Sequence, residues 1–237
     1  MFTYNSLKRI LFKFDPETAH NIAEYSLRVL GKCKIAKAYM QKKNYIADPK
    51  LTQKVFGVTF ANPVGLAAGF DKNATMIKAM QSLGFGFTEI GTMTPKPQDG
   101  NPKPRMFRYP EQKSVQNAMG FNNKGAHEVL KNLKKVYPFS IPVGANIGKN
   151  KFTPEEFALS DYKSLIKKFE ANSDYLVINI SSPNTPNLRD LQNEKFITEL
   201  FTMAKGLTDK PILLKIAPDM EVDMAINLCN SAINAGA

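Results

Sequence analysis

The chain is poor in the residues from which metal centres and disulfide frameworks are built. It has two cysteines, two histidines and no tryptophan among 237 residues. Two thiols are too few for a disulfide framework, a four-thiolate zinc site or a cysteine-held iron–sulfur cluster. Because His20 and His127 lie far apart in the sequence, we expect no metal site.

Long apolar runs are also missing. No stretch approaches the roughly 18 to 20 apolar residues that a membrane-spanning helix needs, and the N-terminus lacks the apolar core and cleavage site of a secretory signal. We therefore expect no transmembrane helix and a reducing, cytoplasmic compartment. Hydrophobic residues make up 43% of the chain, which is enough for a globular core.

Acidic residues are scarce near the N-terminus. Residues 1–45 hold nine Lys and Arg against three Asp and Glu, a net of +6 out of the total of +11. An excess of this kind suits nucleic acid, anionic lipid or an anionic ligand. The spacing predicts an amphipathic helix over 5–14 and a second one that begins at Asp15 and ends at Gly31. This pair either caps the main domain or lies on an anionic membrane surface.

The remainder of the chain alternates between strand and helix patterns. A hairpin with its turn at Gly57 is predicted over 54–63. The predicted strands span 64–68, 87–93, 143–147, 175–180 and 211–216, and the predicted helices span 74–83, 125–136, 154–171, 194–207 and 222–235. Five βα units of this kind predict an α/β fold with a parallel sheet. The long, Pro-rich run over 93–123 follows a strand, a place where insertions are often functional.

Small and polar residues follow each predicted strand. Each motif alone suits close packing or a turn, but five successive strands carry such a motif at the same end, where parallel α/β folds bind ligands. Gly amides, Lys, Asn and hydroxyl groups together suit a planar ligand rich in carbonyls and ring nitrogens, together with an anion. No His lies near Ser182, so a Ser-His-Asp hydrolase is excluded.

These strand-end motifs resemble dihydroorotate dehydrogenase along essentially the whole chain. The matching segments are NPVGLAAGFDK (62–72), EIGTMTPKP (89–97), GNPKPR (100–105), NAMGFNN (117–123), NIGKN (146–150), NISSPNTP (179–186) and KIAPD (215–219). The resemblance implies a (β/α)8 barrel, of which about five units are present at 46–237, preceded by a helical domain at 1–45.

Two features are similar to the quinone-dependent class of that family. The N-terminal extension is present, including the segment DPETAH (15–20), and the position of the catalytic base is Ser182 rather than a Cys. The resemblance implies a peripheral protein at the cytoplasmic face of the inner membrane, with dihydroorotate or orotate, a membrane quinone and an anionic membrane surface as partners. Neither a metal nor a nucleic acid is implied. Arg108 matches a position that lines the quinone tunnel.

The resemblance also implies FMN as cofactor and a set of contact residues. Ser182 would take the C5 proton of (S)-dihydroorotate while hydride passes from C6 to FMN. The implied FMN contacts are Ala68, Gly69, Phe70, Asp71, Lys72, Thr92, Asn146, Asn179 and Lys215. The implied substrate contacts are Lys72, Asn117, Ala118, Met119, Gly120, Phe121, Asn179 and Asn184.

The strand count departs from the family pattern. A closed barrel has eight strands, and the phosphate site of such barrels uses the loops after strands seven and eight. We therefore expect this chain to be the N-terminal portion of such a barrel, a truncated product or a chain completed by a partner. The alternatives are an inactive remnant, a cytosolic dihydroorotate dehydrogenase with another acceptor, and a basic nucleic-acid module, although no aromatic–basic strand motif supports the last of these.

Overall fold

Three helices occupy the N-terminal part of the computed structural model, which describes residues 4–237. They are α1 (Tyr4–Leu11), α2 (Pro16–Lys32) and α3 (Lys34–Asn44). The Asp15 carboxylate accepts hydrogen bonds from the backbone N–H groups of Glu17 and Thr18, so α2 begins at the predicted cap. Residues 1–3, the first part of the predicted helical domain, lie outside the described residues.

The third helix was not predicted. Gly31 was expected to end the second helix, but α2 continues to Lys32 and the chain interrupts its helical path only at Cys33, which is extended with φ −91° and ψ 104°. Cys33 is thus both the end of α2 and the start of α3. A single extended residue between two helices carries no glycine or proline signal, which is why the sequence pattern does not reveal it.

A small hairpin and the main sheet follow. The remaining elements, in chain order, are β1 (Gln53–Val55), β2 (Val58–Phe60), β3 (Gly65–Asp71), α4 (Ile77–Met80), β4 (Phe87–Met93), β5 (Met106–Tyr109), β6 (Ser114–Asn117), α5 (Gly125–Lys134), β7 (Val143–Ile147), α6 (Ala158–Phe169), β8 (Tyr175–Asn179), α7 (Glu194–Lys205), β9 (Ile212–Lys215) and α8 (Val222–Ala235). Strands β1 and β2 pair around a turn that contains Gly57 at φ +79°. The predicted hairpin is therefore confirmed.

The main sheet has five parallel strands in the order β3-β4-β7-β8-β9. The predicted α/β fold with five βα units is confirmed, and the described residues form an open sheet rather than a closed barrel. Strands β7 and β8 are buried along their full length, as expected for the interior strands of a parallel sheet with both faces covered. The carboxyl ends of all five strands lie at one edge of the sheet.

The helix predicted over 74–83 is the least accurate of the predicted elements. Only Ile77–Met80 is α-helical, and a 3₁₀ turn continues over Gln81–Leu83. Ala74 has φ +57°, a left-handed conformation that an α-helix cannot include. The helix expected over 154–171 likewise begins only at Ala158, after a 3₁₀ turn.

The predicted insertion after β4 contains the antiparallel pair β5 and β6. This hairpin lies against α2 and the segment that follows α1. The Arg108 guanidinium is centred 4.1 Å from the centroid of the Phe12 ring, and its Nη1 donates to the carbonyl of Phe14 at 3.4 Å. The insertion therefore joins the strand ends to the N-terminal helices.

Candidate functional site

A cavity of about 520 Å³ opens at the carboxyl edge of the sheet. It receives side chains or backbone from the ends of β3, β4, β8 and β9, from the hairpin β5–β6 and from the loop that follows β8. Its lining contains most of the sequence-predicted contacts. These are Ala68, Gly69, Lys72, Thr92, Asn117, Met119, Gly120, Phe121, Asn179, Ser182, Asn184 and Lys215.

Buried hydroxyl and amide groups form a network under this cavity. Thr92 Oγ1 donates to Asn146 Oδ1 at 2.6 Å, and Asn179 Nδ2 donates to Thr92 Oγ1 at 2.8 Å and to Asn146 Oδ1 at 3.2 Å. The three side chains come from β4, β7 and β8, whose parallel register brings the strand ends together. All three are buried. Because buried polar groups must be paired, this network fixes the Asn179 side chain at the cavity wall.

The network continues to a lysine at the end of β9. Ser181 Oγ donates to Asn179 Oδ1 at 2.8 Å, and Lys215 Nζ donates to Ser181 Oγ at 2.7 Å. In the sheet register Asn179 lies opposite Lys215. An ammonium group is thereby held at the cavity beside an amide, which is a donor set suited to carbonyl oxygens and ring nitrogens.

A second lysine, Lys72, lines the same cavity from the loop after β3. Burial lowers the pKa of its ammonium, while the carboxylate of Glu24 on α2 acts in the opposite direction. Lys72 also lowers the pKa of His20, although burial of the imidazole is the larger cause. Lys72 and Lys215 therefore place an ammonium group at the end of each outer strand of the five-stranded sheet.

Ser182 lies in the loop after β8 and is partly exposed to the cavity. Its Oγ accepts a hydrogen bond from the backbone N–H of Asn184 at 3.2 Å. Asn184 Nδ2 in turn donates to the carbonyl of Asn117 at 3.4 Å. The two segments that were predicted to surround a substrate are therefore in direct contact.

Four of the predicted contacts do not line the cavity. Asn146 lies beneath it in the buried network, and the ring of Phe70 packs edge-on against that of His20 at 4.9 Å. The Asp71 carboxylate accepts from the backbone N–H groups of Thr75 and Met76 at 2.8 and 2.9 Å, and burial raises its pKa to about 6. Asp71 thus orders the loop after β3. Ala118 joins the hairpin through its N–H, which donates to the Arg105 carbonyl at 2.8 Å.

The sequence analysis missed several groups of the cavity and of the network under it, and two of them, Arg189 and Glu89, are charged. Arg189 lines the cavity, and it donates through Nε to the Ser181 carbonyl and through Nη1 to Asp219. Glu89 on β4 accepts from Asn146 Nδ2 at 3.4 Å, and burial raises the pKa of its carboxyl. Arg189 lies beyond the polar loop motif and carries no sequence signal of its own. Glu89 belongs to the segment EIGTMTPKP (89–97), in which only Thr92 was predicted as a contact residue.

The structure offers no candidate metal centre within residues 4–237. Among these residues no three His, Cys, Asp or Glu side chains come together as metal ligands. The polar groups of the cavity are instead mainly amides, hydroxyls and ammonium groups, which fit an organic ligand with polar edges.

Comparison with known proteins gives a consistent family. The family model described as dihydroorotate dehydrogenase matches residues 50–236. A protein from a Nitratiruptor species, named dihydroorotate dehydrogenase (quinone), is 61% identical over 99% of this chain and 67% of its own length. A protein of the same name from Sulfurimonas denitrificans is 59% identical over the whole of this chain and 67% of its own.

Solved structures agree with the sequence relatives. A crystal structure of DHODH from Eimeria tenella in complex with ferulenol superposes with a TM-score of 0.81 and is 36% identical, over 94% of this chain and 64% of that one. The chain thus spans about two thirds of the length of the relatives it matches. The resemblance that the strand-end motifs indicated is confirmed.

Proposed function

Because the chain belongs to the quinone-dependent dihydroorotate dehydrogenase family, we propose that it supplies the flavin and substrate site of an enzyme that oxidises (S)-dihydroorotate to orotate in pyrimidine biosynthesis. The observation that carries this proposal is the single cavity shared by Lys72, Asn117, Asn179, Ser182 and Asn184. These residues come from separate segments of the chain. Their convergence supplies amides for a planar ring with amide edges and an ammonium for its carboxylate.

The lining of the cavity also supports FMN as the cofactor. Gly69 lines it with φ +106°, and a Cβ added there would meet no atom within 4 Å, so the backbone of β3 leaves open space for a ligand at this point. Thr92, Asn179 and Lys215 line the same cavity with polar groups that match the carbonyl and ring-nitrogen edge of a flavin. Bound FMN would supply a two-electron acceptor for the hydride that leaves C6 of the substrate.

The chain's own contribution to the chemistry is binding and proton removal. Lys72 holds the substrate anion, and the side chains of Asn117, Asn179 and Asn184 hold its amide edges. Ser182 Oγ takes the proton at C5 and passes its own hydroxyl proton on to a hydrogen-bonded hydroxyl or water. The hydride from C6 would go to bound FMN, which leaves a double bond between C5 and C6. A serine hydroxyl is a weak base, so this step needs a site that excludes water and keeps Ser182 oriented, as the Asn184 N–H does.

The N-terminal helices are the proposed route to the quinone. Leu7, Ile10, Phe12 and Phe14 are each 40% exposed or more, and basic residues of the same segment accompany them. Apolar side chains flanked by Lys and Arg favour an anionic membrane interface. None of the helices in residues 4–237 is long and apolar enough to cross a membrane. From the exposed apolar and basic side chains we propose a peripheral position at the cytoplasmic face of the inner membrane, with Arg108 at the quinone tunnel.

The test is anaerobic mixing of the purified, flavin-loaded protein with dihydroorotate. We expect the flavin absorbance to bleach and then to return on addition of a quinone. Deletion of residues 1–45 should abolish liposome binding and quinone reduction, while a saturating concentration of dihydroorotate still bleaches the flavin. No bleaching in the intact protein would refute the activity, and full quinone turnover after the deletion would refute the role of the helices.

A further inference from the structure

A buried ion pair joins α2 to the insertion that carries the hairpin β5–β6. Arg105 Nη2 donates to Glu17 Oε1 at 2.8 Å and Arg105 Nε donates to Glu17 Oε2 at 3.3 Å. Only 7% of the Arg105 side chain is exposed and 12% of that of Glu17. Such a two-point pair fixes orientation as well as distance. Arg105 holds the pKa of the Glu17 carboxyl below its usual value.

The third nitrogen of the same guanidinium donates hydrogen bonds to the loop over residues 99–101. Arg105 Nη1 donates to the carbonyl of Asp99 and, at 2.8 Å, to the carbonyl of Asn101. The carbonyl of Arg105 accepts from Ala118 N–H. One side chain thus fixes the segment 99–101 to α2, and its backbone is paired with the segment that was predicted to bind substrate.

Asn101 connects the segment held by Arg105 to the two segments proposed to bind substrate. Its Nδ2 donates to the carbonyls of Ala118 at 3.0 Å and Asn184 at 3.3 Å, and its backbone N–H donates to the carbonyl of Met119 at 3.1 Å. A Cβ added to Gly120 would collide with the Asn101 side chain. Asn101 therefore lies at the junction of the two segments that border the cavity.

From these contacts we propose that Arg105, anchored by Glu17, is a positioning residue for substrate binding that acts through Asn101 on the 117–121 segment and the Asn184 loop. This inference rests on the proposed function. None of Glu17, Asn101 and Arg105 is among the residues that line the cavity. Their effect on the reaction is thus indirect, and it links the N-terminal helices to the substrate side of the site.

The chain provides a matched control in Lys103. Its ammonium lies 3.3 Å from the same Glu17 oxygen that Arg105 contacts, but its side chain is 64% exposed. An exposed ion pair contributes little. We therefore compare two variants with the control Lys103→Gln. Arg105→Lys keeps the positive charge but loses the two-point hydrogen bonding of the guanidinium, and Asn101→Ala removes no charge.

Two measurements are made on the intact, flavin-loaded protein. The first is the steady-state kinetics with dihydroorotate, together with the dissociation constant of orotate. We expect Arg105→Lys and Asn101→Ala each to raise KM and the orotate dissociation constant about tenfold, which corresponds to about 1.4 kcal/mol, and to change kcat by less than about twofold. Lys103→Gln should leave all three values within about twofold.

The second measurement is amide hydrogen exchange, which needs no activity. Peptides that cover residues 99–106 and 181–190 should exchange faster in Arg105→Lys and Asn101→Ala than in Lys103→Gln, while those that cover β7 and β8 stay protected. If exchange and KM in both variants match those of Lys103→Gln, the positioning role is wrong. If Arg105→Lys does not fold, Asn101→Ala decides alone. An intact protein that never oxidises dihydroorotate refutes the proposed function, and the exchange data still decide the link through Arg105.

Discussion

The strand-end cavity and the N-terminal helices are built on opposite principles. Under the cavity, Thr92, Asn146 and Asn179 are buried and bonded to one another. On α2 and α3, large apolar side chains face outward, with Tyr25, Ile35 and Tyr39 each more than 60% exposed. The network under the cavity is paired within the chain, whereas the helices leave apolar groups uncovered by the described residues.

This difference separates the structure that the chain forms by itself from the structure that needs a covering surface. A paired polar network holds its geometry without a ligand, so the donor set proposed for a flavin and a substrate is formed in advance. Apolar side chains on a surface helix gain free energy only when something apolar covers them. The two regions meet at Glu17 and Arg105, so a perturbation of one is expected to reach the other there.

The largest expected effect tests the chemistry assigned to the cavity. Ser182→Ala removes the proposed base and leaves the neighbouring amides in place, so single-turnover flavin reduction should fall by about 10³-fold, within the range for general bases. Orotate should still bind. Ser182→Cys should keep part of the activity with a shifted pH dependence, because a thiol is more acidic than a hydroxyl. Unchanged flavin reduction in Ser182→Ala would remove Ser182 from the mechanism.

The second-largest expected effect tests how much of the flavin site lies within residues 1–237. The cavity contains the proposed contacts for a flavin ring, but the phosphate of such barrels is bound after strands seven and eight, and the described sheet has five strands. Charge-assisted phosphate contacts are strong, so a polypeptide of residues 1–237 should bind FMN at least about 100-fold more weakly than the longer Nitratiruptor relative, a difference of about 2.7 kcal/mol. Flavin absorbance after gel filtration of both proteins measures this, and equal stoichiometric retention would contradict it.

A smaller effect tests whether the network under the cavity is the stable part of the molecule. Thr92→Val keeps the shape of the side chain but removes the hydroxyl between Asn146 and Asn179. Leaving buried partners unpaired should lower the free energy of unfolding by about 1–3 kcal/mol, measured by urea titration.

Strand β4 provides the matched control for this change. The hydroxyl of Thr88 is also buried, and it has no hydrogen-bond partner in the part of the chain that the structure describes. Thr88→Val should therefore be neutral or stabilising, since it removes an unpaired polar atom. Equal losses for the two variants would mean that packing, and not the hydrogen bonds of Thr92, determines the outcome.

The sequence was informative wherever a signal is local. Strand and helix periodicity located all five βα units, and α8 has the predicted bounds of 222–235. The polar residues that follow the strands could be grouped because parallel strands end at one edge. The errors occur where a local signal is absent. The left-handed Ala74 delays the start of α4 and the extended Cys33 separates α2 from α3, and neither residue is a glycine or a proline.

Contacts between distant segments could not be derived in this way. Arg105 and Glu17 lie 88 residues apart, and each looks like an ordinary surface charge in its own segment. The family resemblance, and not periodicity, grouped Asn146 and Asp71 with the cofactor contacts. In the structure Asn146 lies in the network under the cavity and Asp71 orders the loop after β3. Which end-of-strand residues face the cavity depends on side-chain packing, which periodicity does not encode.

The smallest expected effect measures how loosely the N-terminal helices are attached. The Phe12 ring lies 4.1 Å from the Arg108 guanidinium and 5.0 Å from the Lys8 ammonium. At an exposed site a cation–π contact contributes about 0.5–1 kcal/mol. A double-mutant cycle of Phe12→Leu with Arg108→Gln, followed by urea unfolding, should give a coupling energy in that range.

The same cycle with Lys8→Gln is the internal control. Lys8 is further from the ring than Arg108 and belongs to the same N-terminal segment as Phe12, so its coupling should be smaller. Both coupling energies should stay below the loss of unfolding free energy caused by Thr92→Val. When an exposed contact is removed, water takes the place of the lost partner, whereas the buried partners of Thr92 are left unpaired. A coupling for Arg108 above about 2 kcal/mol would place the helices among the firmly held parts of the molecule, and the contrast between the two regions would then be one of exposure and not of stability.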